Sequence, residues 1–249
     1  MKVRPVVLCI LNFEHSSILD KMTEPKTSNF LKYTFMQFQP SAFLLAAQFL
    51  QLLAYMFFDH LAYTQTVIGI IGELVLLLVV WIITRSPGIN WIAWLLAAPA
   101  AVLSIIAVFL PQTHLIAWAS LMQGVLYFYG AGSLIVYMME DNQVTTDELY
   151  AAGATFTLLA WGYTFFYVAC QSWLPGSFFS SLITHRALSF FELLSLSFTN
   201  LTATGLSDIV PVSSPARALV MLEQFSGIGY VAVVVSRLIG MTLQRKKKS

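Results

Sequence analysis

The sequence predicts an all-α membrane protein with six transmembrane helices and a re-entrant helix between the fifth and the sixth. Composition is the first observation: 58% of the 249 residues are hydrophobic and 10% are charged, whereas soluble domains carry about 25% charged residues. The second is a series of apolar runs close to the roughly 20 helical residues that cross a bilayer core. The third is a shorter apolar run, "LSFFELLSLSFTNL", followed at once by the polar "TATGLSD".

Six apolar segments give the predicted spans. In chain order they are Ser41–Phe58, Thr66–Thr84, Trp91–Leu110, Leu115–Met139, Leu149–Trp173 and Ala216–Leu243. Residues 1–39 are interpreted as a cytoplasmic arm, because no small-residue cleavage site follows the short run "VVLCILNF". The first four spans, within 40–140, form one predicted bundle. Residues 148–243 form a second unit, and 244–249 form a basic cytoplasmic tail.

The short apolar run Leu188–Leu201 is the predicted re-entrant helix. At about 14 residues it cannot cross the bilayer. Irregular backbone at membrane depth is tolerated only where protein buries it or where it lines a water-filled cavity. We therefore expect the stretch that follows this helix to line a pore or a substrate cavity.

The positions of Lys and Arg predict the orientation of the chain. Of the 13 basic residues, all but Arg186 and Arg217 fall on one side of the six-span topology. Because basic residues concentrate in cytoplasmic loops, both termini are expected in the cytoplasm of a multi-pass integral membrane protein. The basic tail is interpreted first as a topology anchor and second as a site for anionic lipid. Its basic residues are Arg245, Lys246, Lys247 and Lys248.

The stretch Leu196–Gly240, "LSFTNLTATGLSDIVPVSSPARALVMLEQFSGIGYVAVVVSRLIG", resembles the pore module of potassium channels. That module consists of an outer helix, a pore helix, a filter loop and an inner helix. Residues matching its usual string are Ser197, Phe198, Leu201, Thr202, Gly205, Asp208, Ile209 and Pro211, followed by Ala216, Arg217, Glu223 and Gly227. The resemblance implies a cation channel subunit, a homotetramer around one central pore, and K⁺ or Na⁺ in the filter with no further cofactor.

The resemblance places the ion filter at seven residues. Within them, this sequence departs from the family's T-V-G-Y-G. They are Thr202, Ala203, Thr204, Gly205, Leu206, Ser207 and Asp208. Ala203 lacks the hydroxyl that the family uses at its innermost ion site, and Leu206 lacks the tyrosine hydroxyl. Ser207 replaces the second glycine, where a left-handed conformation costs about 1–2 kcal/mol. We therefore expect weak selectivity for K⁺, with Asp208 as a cation ligand at the entrance.

Two glycines, Gly227 and Gly229, lie within the predicted last helix. Each costs about 1 kcal/mol relative to alanine in a helix, so their presence asks for a reason. One interpretation is a gating hinge, and the alternative is close packing of small residues against a neighbouring helix. Glu192 and Glu223 are interpreted as structural hydrogen-bonding groups near the outer mouth. In the second span, Glu73 is either a functional acid or a carboxyl bonded within the bundle.

Two other functions are alternatives to the cation channel. The string "TATGLS" is also similar to the loops of Trk/Ktr-type potassium transporters, which carry four such repeats in one chain. The other alternative is a non-conducting structural or regulatory membrane protein with a channel-like fold. Leu115–Met139 contains no Arg or Lys, which argues against a voltage sensor. No catalytic motif indicates an enzyme, and the net charge of +1 does not favour nucleic acid.

Overall fold

The computed structural model describes residues 40–58, 75, 77–78, 90–109, 113–140, 146–180, 186–237 and 239–240. The helices there are α1 (Pro40–Phe58), α2 (Asn90–Phe109), α3 (Thr113–Glu140), α4 (Thr146–Trp173), α5 (Phe190–Leu201) and α6 (Ser214–Tyr230). Two short strands, β1 (Phe178–Ser180) and β2 (Ile209–Pro211), flank α5, and α6 continues as a π-helix, Val231–Val235. The predicted arm, nearly all of the second span with Glu73, and the basic tail lie outside the described residues.

Three helices of this part of the chain are long and apolar enough to cross a membrane. They cover His114–Met139, Thr146–Trp173 and Ser214–Val235. Two shorter apolar helices, Ser41–Tyr55 and Trp94–Ser104, lie where the first and third spans were predicted. The chain is therefore an integral membrane protein built mainly of helices, and the count of six spans stays a prediction.

Shape complementarity holds α3 against α4. A Cβ atom added to Gly124 of α3 would lie 2.6 Å from Cε1 of Phe166 in α4. The reverse arrangement occurs at Gly162 of α4, where an added Cβ would lie 2.8 Å from the ring of Phe128 in α3. The two phenylalanine rings stack at a centroid distance of 5.3 Å. Each glycine thus makes a notch for the other helix's aromatic ring, which lets the backbones approach closely, as small residues do in membranes.

Polar contacts hold α1 against α4. Asp147, in the first turn of α4, accepts hydrogen bonds from the backbone nitrogen of Ser41 at 3.2 Å and from its hydroxyl at 3.0 Å. The free N–H groups at the start of α1 thereby gain an acceptor. Farther along, the hydroxyl of Thr157 donates to Oε1 of Gln48 at 2.5 Å. Both residues of this pair are buried, so the bond satisfies polar groups in an apolar setting.

The short helix α5 packs against both α4 and α6, and the two strands lie at its ends. The strands pair antiparallel, with Phe178 opposite Pro211 and Ser180 opposite Ile209. Apart from this pair, the described chain is helical, as the sequence predicted, and periodicity cannot reveal strands as short as these. Phe178 and Ile209 are buried. The pairing thus joins the segment that precedes α5 to the segment that follows its loop.

Candidate functional site

A capping box fixes the start of α5 at Ser189. Its hydroxyl accepts a hydrogen bond from the backbone nitrogen of Glu192, and the carboxylate of Glu192 accepts one from the backbone nitrogen of Ser189. Arg186 also binds this carboxylate, with 2.6 Å between Nη2 and Oε1. Partial burial alone would raise the pKa of Glu192, but the bonds from Arg186 and Ser189 outweigh it and lower the pKa. Glu192 is therefore a structural group, as the sequence predicted.

The loop after α5 folds back onto the carbonyl of Thr199. This carbonyl accepts from the backbone nitrogens of Thr204 at 3.0 Å and Gly205 at 3.1 Å. The hydroxyl of Thr204 donates to it as well, at 3.1 Å. The hydroxyl of Thr202 donates to the carbonyl of Phe198 at 2.7 Å. The last carbonyls of a helix lack partners within the helix, and here the loop supplies them. One short segment thus ends α5 and starts the predicted filter.

Backbone conformation alternates along this loop. Ala203 has φ of 57° and Gly205 has φ of 64°, both in the left-handed region. Ser207 does not take this conformation, although the family string has a glycine there. Instead its hydroxyl accepts a hydrogen bond from the backbone nitrogen of Ile209 at 3.1 Å. The expected strain therefore falls on Ala203, at a cost of about 1–2 kcal/mol, and not on Ser207.

The predicted filter residues lie at the surface of the chain. Of the seven, Ser207 is half-buried and the others are exposed, with Leu206 at 84%. Within the described part of the chain, the backbone carbonyls of Thr202, Ala203, Thr204 and Leu206 accept no hydrogen bond. Carbonyl oxygens without hydrogen-bond donors are the groups that replace an ion's hydration shell in filters. The loop therefore presents several such oxygens in a row.

The exit of the loop is tied to the strand pair. Asp208 accepts a hydrogen bond from the hydroxyl of Ser180 in β1, with 2.6 Å between the oxygens. After β2, the backbone nitrogen of Val212 donates to the carbonyl of Ser177 at 2.8 Å. The residues between α4 and α5 thus hold the carboxylate at the end of the predicted filter. Sequence reasoning missed Ser177 and Ser180, since only strand pairing brings them to the loop.

Behind α5, the carboxyl of Glu223 joins three helices. It is fully buried in α6 and contacts the hydroxyls of Tyr167 in α4 and Ser197 in α5. Ser197 also lies 2.8 Å from the carbonyl of Ala160 in α4. Glu223 thus has specific hydrogen-bonding partners, which supports its interpretation as a structural group. Their spacing along the chain left no signal by which the sequence could have identified them.

The two predicted hinge glycines lie in different surroundings. A Cβ atom added to Gly227 would lie 2.0 Å from the carbonyl oxygen of Leu201, the last residue of α5. A Cβ added to Gly229 would meet nothing within 4 Å. The contact at Gly227 supports the packing interpretation there. The helix irregularity itself begins just beyond both glycines, at the π-helix Val231–Val235. A gating role for either glycine stays a prediction.

A family model described as an ion channel matches residues 154–244 of this chain. No curated protein and no solved structure matches it. The matched range contains α5, the loop, α6 and most of α4. It confirms the resemblance to an ion channel pore module that the sequence predicted, and it agrees with the expectation that the chain is not an enzyme. The first three helices lie outside the match.

Proposed function

We propose that this chain, whose residues 154–244 form an ion channel domain, is a subunit of a homotetrameric, weakly selective channel for monovalent cations. The observation that carries the proposal is the loop at the end of α5. Four of its carbonyls accept no hydrogen bond from the described residues, and its backbone alternates into the left-handed region at Ala203 and Gly205. Such alternation turns successive carbonyls, and stacked carbonyl rings are how cation filters replace water.

Assembly around a central pore is proposed from the exposure of α6. Only 28% of the span Ser214–Val235 is buried within the chain, against 72% of Thr146–Trp173. Its exposed apolar residues include Leu222, Phe225 and Ile228. Because one loop provides only part of a ring, several copies must place their loops around a shared axis. Four copies follow from the resemblance to the potassium channel module, with lipid, pore and neighbouring copies covering α6.

Weak selectivity follows from the chemistry of the loop. Ala203 offers no hydroxyl, and the hydroxyl protons of Thr202 and Thr204 are used on carbonyls of α5. The loop therefore has fewer oxygen ligands than the family string provides. An ion that keeps part of its water is distinguished poorly by size. Asp208, which is exposed beside the loop, would concentrate cations over anions at the entrance.

Six spans with α5 re-entering from outside and both termini in the cytoplasm complete the proposal. The described helices support it, because α5 has 12 residues and a span takes about 20. The test places a single cysteine either before α1 or after β1 and treats intact cells with a membrane-impermeant thiol reagent. We expect labelling only at the second position. Labelling at both positions would overturn the orientation.

Ion flux into liposomes tests the function directly. The reversal potential of the purified protein under K⁺ and Na⁺ gradients should show cations favoured over anions with a modest K⁺ preference. Restoring the family string with Ala203→Thr, Thr204→Val, Leu206→Tyr and Ser207→Gly should raise the K⁺/Na⁺ permeability ratio. An unchanged ratio, or wild-type protein that already excludes Na⁺, would contradict the filter assignment. Flux that saturates or is coupled to another ion would indicate a transporter. Absence of flux would indicate a non-conducting protein.

Native mass spectrometry in detergent tests the assembly. A mass of four chains is expected, since the loop needs partners to complete a ring. Full flux from a stable monomer would contradict the homotetramer.

The same preparation, with Arg245, Lys246, Lys247 and Lys248 changed together to glutamine, tests whether the tail binds anionic lipid. Loss of retained anionic lipid would support a lipid site, and unchanged retention would leave the topology anchor.

A further inference from the structure

The buried carboxyl of Glu223 lies among hydroxyl contacts that a neutral carboxylic acid satisfies better than a carboxylate. Tyr167 Oη contacts Oε2, and Ser197 Oγ contacts Oε1. Ser197 Oγ also lies 2.8 Å from the carbonyl oxygen of Ala160. These are three contacts between oxygen atoms at hydrogen-bonding distance, and each is strongest with a proton of its own between the two oxygens.

Three separate hydrogen bonds at these contacts need three protons. A hydroxyl carries one hydrogen, so Tyr167 serves its contact with Glu223 and Ser197 serves one of its two contacts. Thr164 donates its own hydroxyl proton to the carbonyl of Ala160, at 2.8 Å, and supplies none to Ser197. The third proton would then come from the carboxyl. With a carboxylate, Ser197 would have to share its single proton between Glu223 Oε1 and the carbonyl oxygen of Ala160, and both contacts would be weaker.

We propose that Glu223 is a neutral carboxylic acid that starts a chain of hydrogen bonds holding α5 between α4 and α6. Oε1–H of Glu223 donates to Ser197 Oγ, Ser197 Oγ–H donates to the carbonyl of Ala160, and Tyr167 Oη–H donates to Glu223 Oε2. Every contact then has one proton and every donor has one acceptor.

The surroundings of Glu223 favour the neutral form. It lies in a membrane span and is fully buried, where an isolated charge is costly. The titratable groups facing it from the described residues are two phenols of α4, Tyr167 and Tyr163, which carry no charge at neutral pH. No positively charged side chain of the described residues forms an ion pair with it. Asn200 of α5 is buried nearby, and its amide acts in the opposite direction, because a donor facing the carboxyl favours the charged form.

The chain of hydrogen bonds through Glu223 has a consequence for conduction, and this consequence rests on the proposed function. Ser197 lies in α5, four residues before Leu201, where the helix ends and the loop begins. Ionisation of Glu223 removes one of the three protons, so Ser197 must serve α4 and α6 with a single proton and both links weaken. The chain of hydrogen bonds is complete when the carboxyl is protonated and weakens as pH rises. Conduction should therefore fall at alkaline pH.

Infrared spectroscopy of the protein in lipid tests the protonation without requiring conduction. At neutral pH the wild type should show a carboxylic acid C=O band that is missing from Glu223→Gln. Ser197→Ala should shift that band to higher frequency, because the acid loses its acceptor. The matched control Ser195→Ala, an exposed serine on the same helix, should leave it in place. A wild type with no such band, or a band unmoved by Ser197→Ala, would overturn the assignment.

Liposome flux across a pH series tests the functional step. Wild-type flux should fall several-fold on going to alkaline pH. Glu223→Gln should keep its flux, since its amide donates to Ser197, its carbonyl accepts from Tyr167, and it cannot ionise. The same alkaline loss in Glu223→Gln would overturn the functional step. If neither protein conducts, the proposed function fails, while the infrared band still decides the protonation of Glu223.

Discussion

The two sides of α4 are held by different physical means. Toward α3, the contact is one of shape, with Gly124 and Gly162 each receiving an aromatic ring of the other helix. Toward α5 and α6, it is one of hydrogen bonds centred on Glu223. Packing is not directional and tolerates small adjustments, whereas a buried polar network is lost when one member is removed. We therefore expect the channel side of α4 to be the more sensitive one.

Gly227→Ala should have the largest effect. The new Cβ would lie 2.0 Å from the carbonyl oxygen of Leu201. Because this atom belongs to the backbone at the end of α5, the whole helix must move. We expect a loss of about 3 kcal/mol in stability, measured by thermal unfolding in detergent. The matched control Gly229→Ala has open space around its Cβ and should be neutral or slightly stabilising. A change in open probability at full stability would instead favour the hinge at Gly227.

Gly162→Ala should have an intermediate effect on stability. Its Cβ would lie 2.8 Å from the ring of Phe128, a side chain that can rotate away. We expect a loss of about 1–2 kcal/mol and little change in flux per folded channel. Adding Phe128→Leu should restore part of that loss by making room. Equal losses for the double and the single variant would show that the notch does not hold α3 against α4.

Glu192 should give the smallest effect, and one that depends on pH. Its lowered pKa means that its contribution to stability is full above the ordinary pKa of a glutamate. That contribution is lost as the pH falls through the lowered pKa of the folded state. Glu192→Ala should cost about 1 kcal/mol at neutral pH through loss of the capping box. Glu192→Gln keeps the box and should cost less.

The pH dependence of unfolding separates the contribution of the capping box from that of the ion pair between Glu192 and Arg186. Wild-type stability should decline in acid relative to Glu192→Gln, because only the carboxylate can be protonated. Parallel acid profiles for these two proteins would contradict the role of the bond from Arg186. Urea unfolding in mild detergent between neutral and acidic pH measures the difference.

The helices were predictable because their signal is local. α3 and α4 begin and end within about a turn of the predicted spans, since a run of apolar residues must be helical in a bilayer. Likewise, α5 and its loop were predicted from a short apolar run and a polar stretch. The capping box at Ser189 and Glu192 explains why α5 begins at Phe190 and not at the predicted Leu188.

By itself, the sequence determined that this is a helical membrane protein with a channel-like loop near its C-terminal end. The tertiary structure decided which residues hold that loop. Tyr167, Ser197 and Glu223 lie on three different helices, and Ser180 reaches Asp208 only because two strands pair. Likewise, the left-handed turn falls on Ala203, where the folded-back loop requires it. Such contacts join residues far apart in the chain, so neither periodicity nor spacing could specify them.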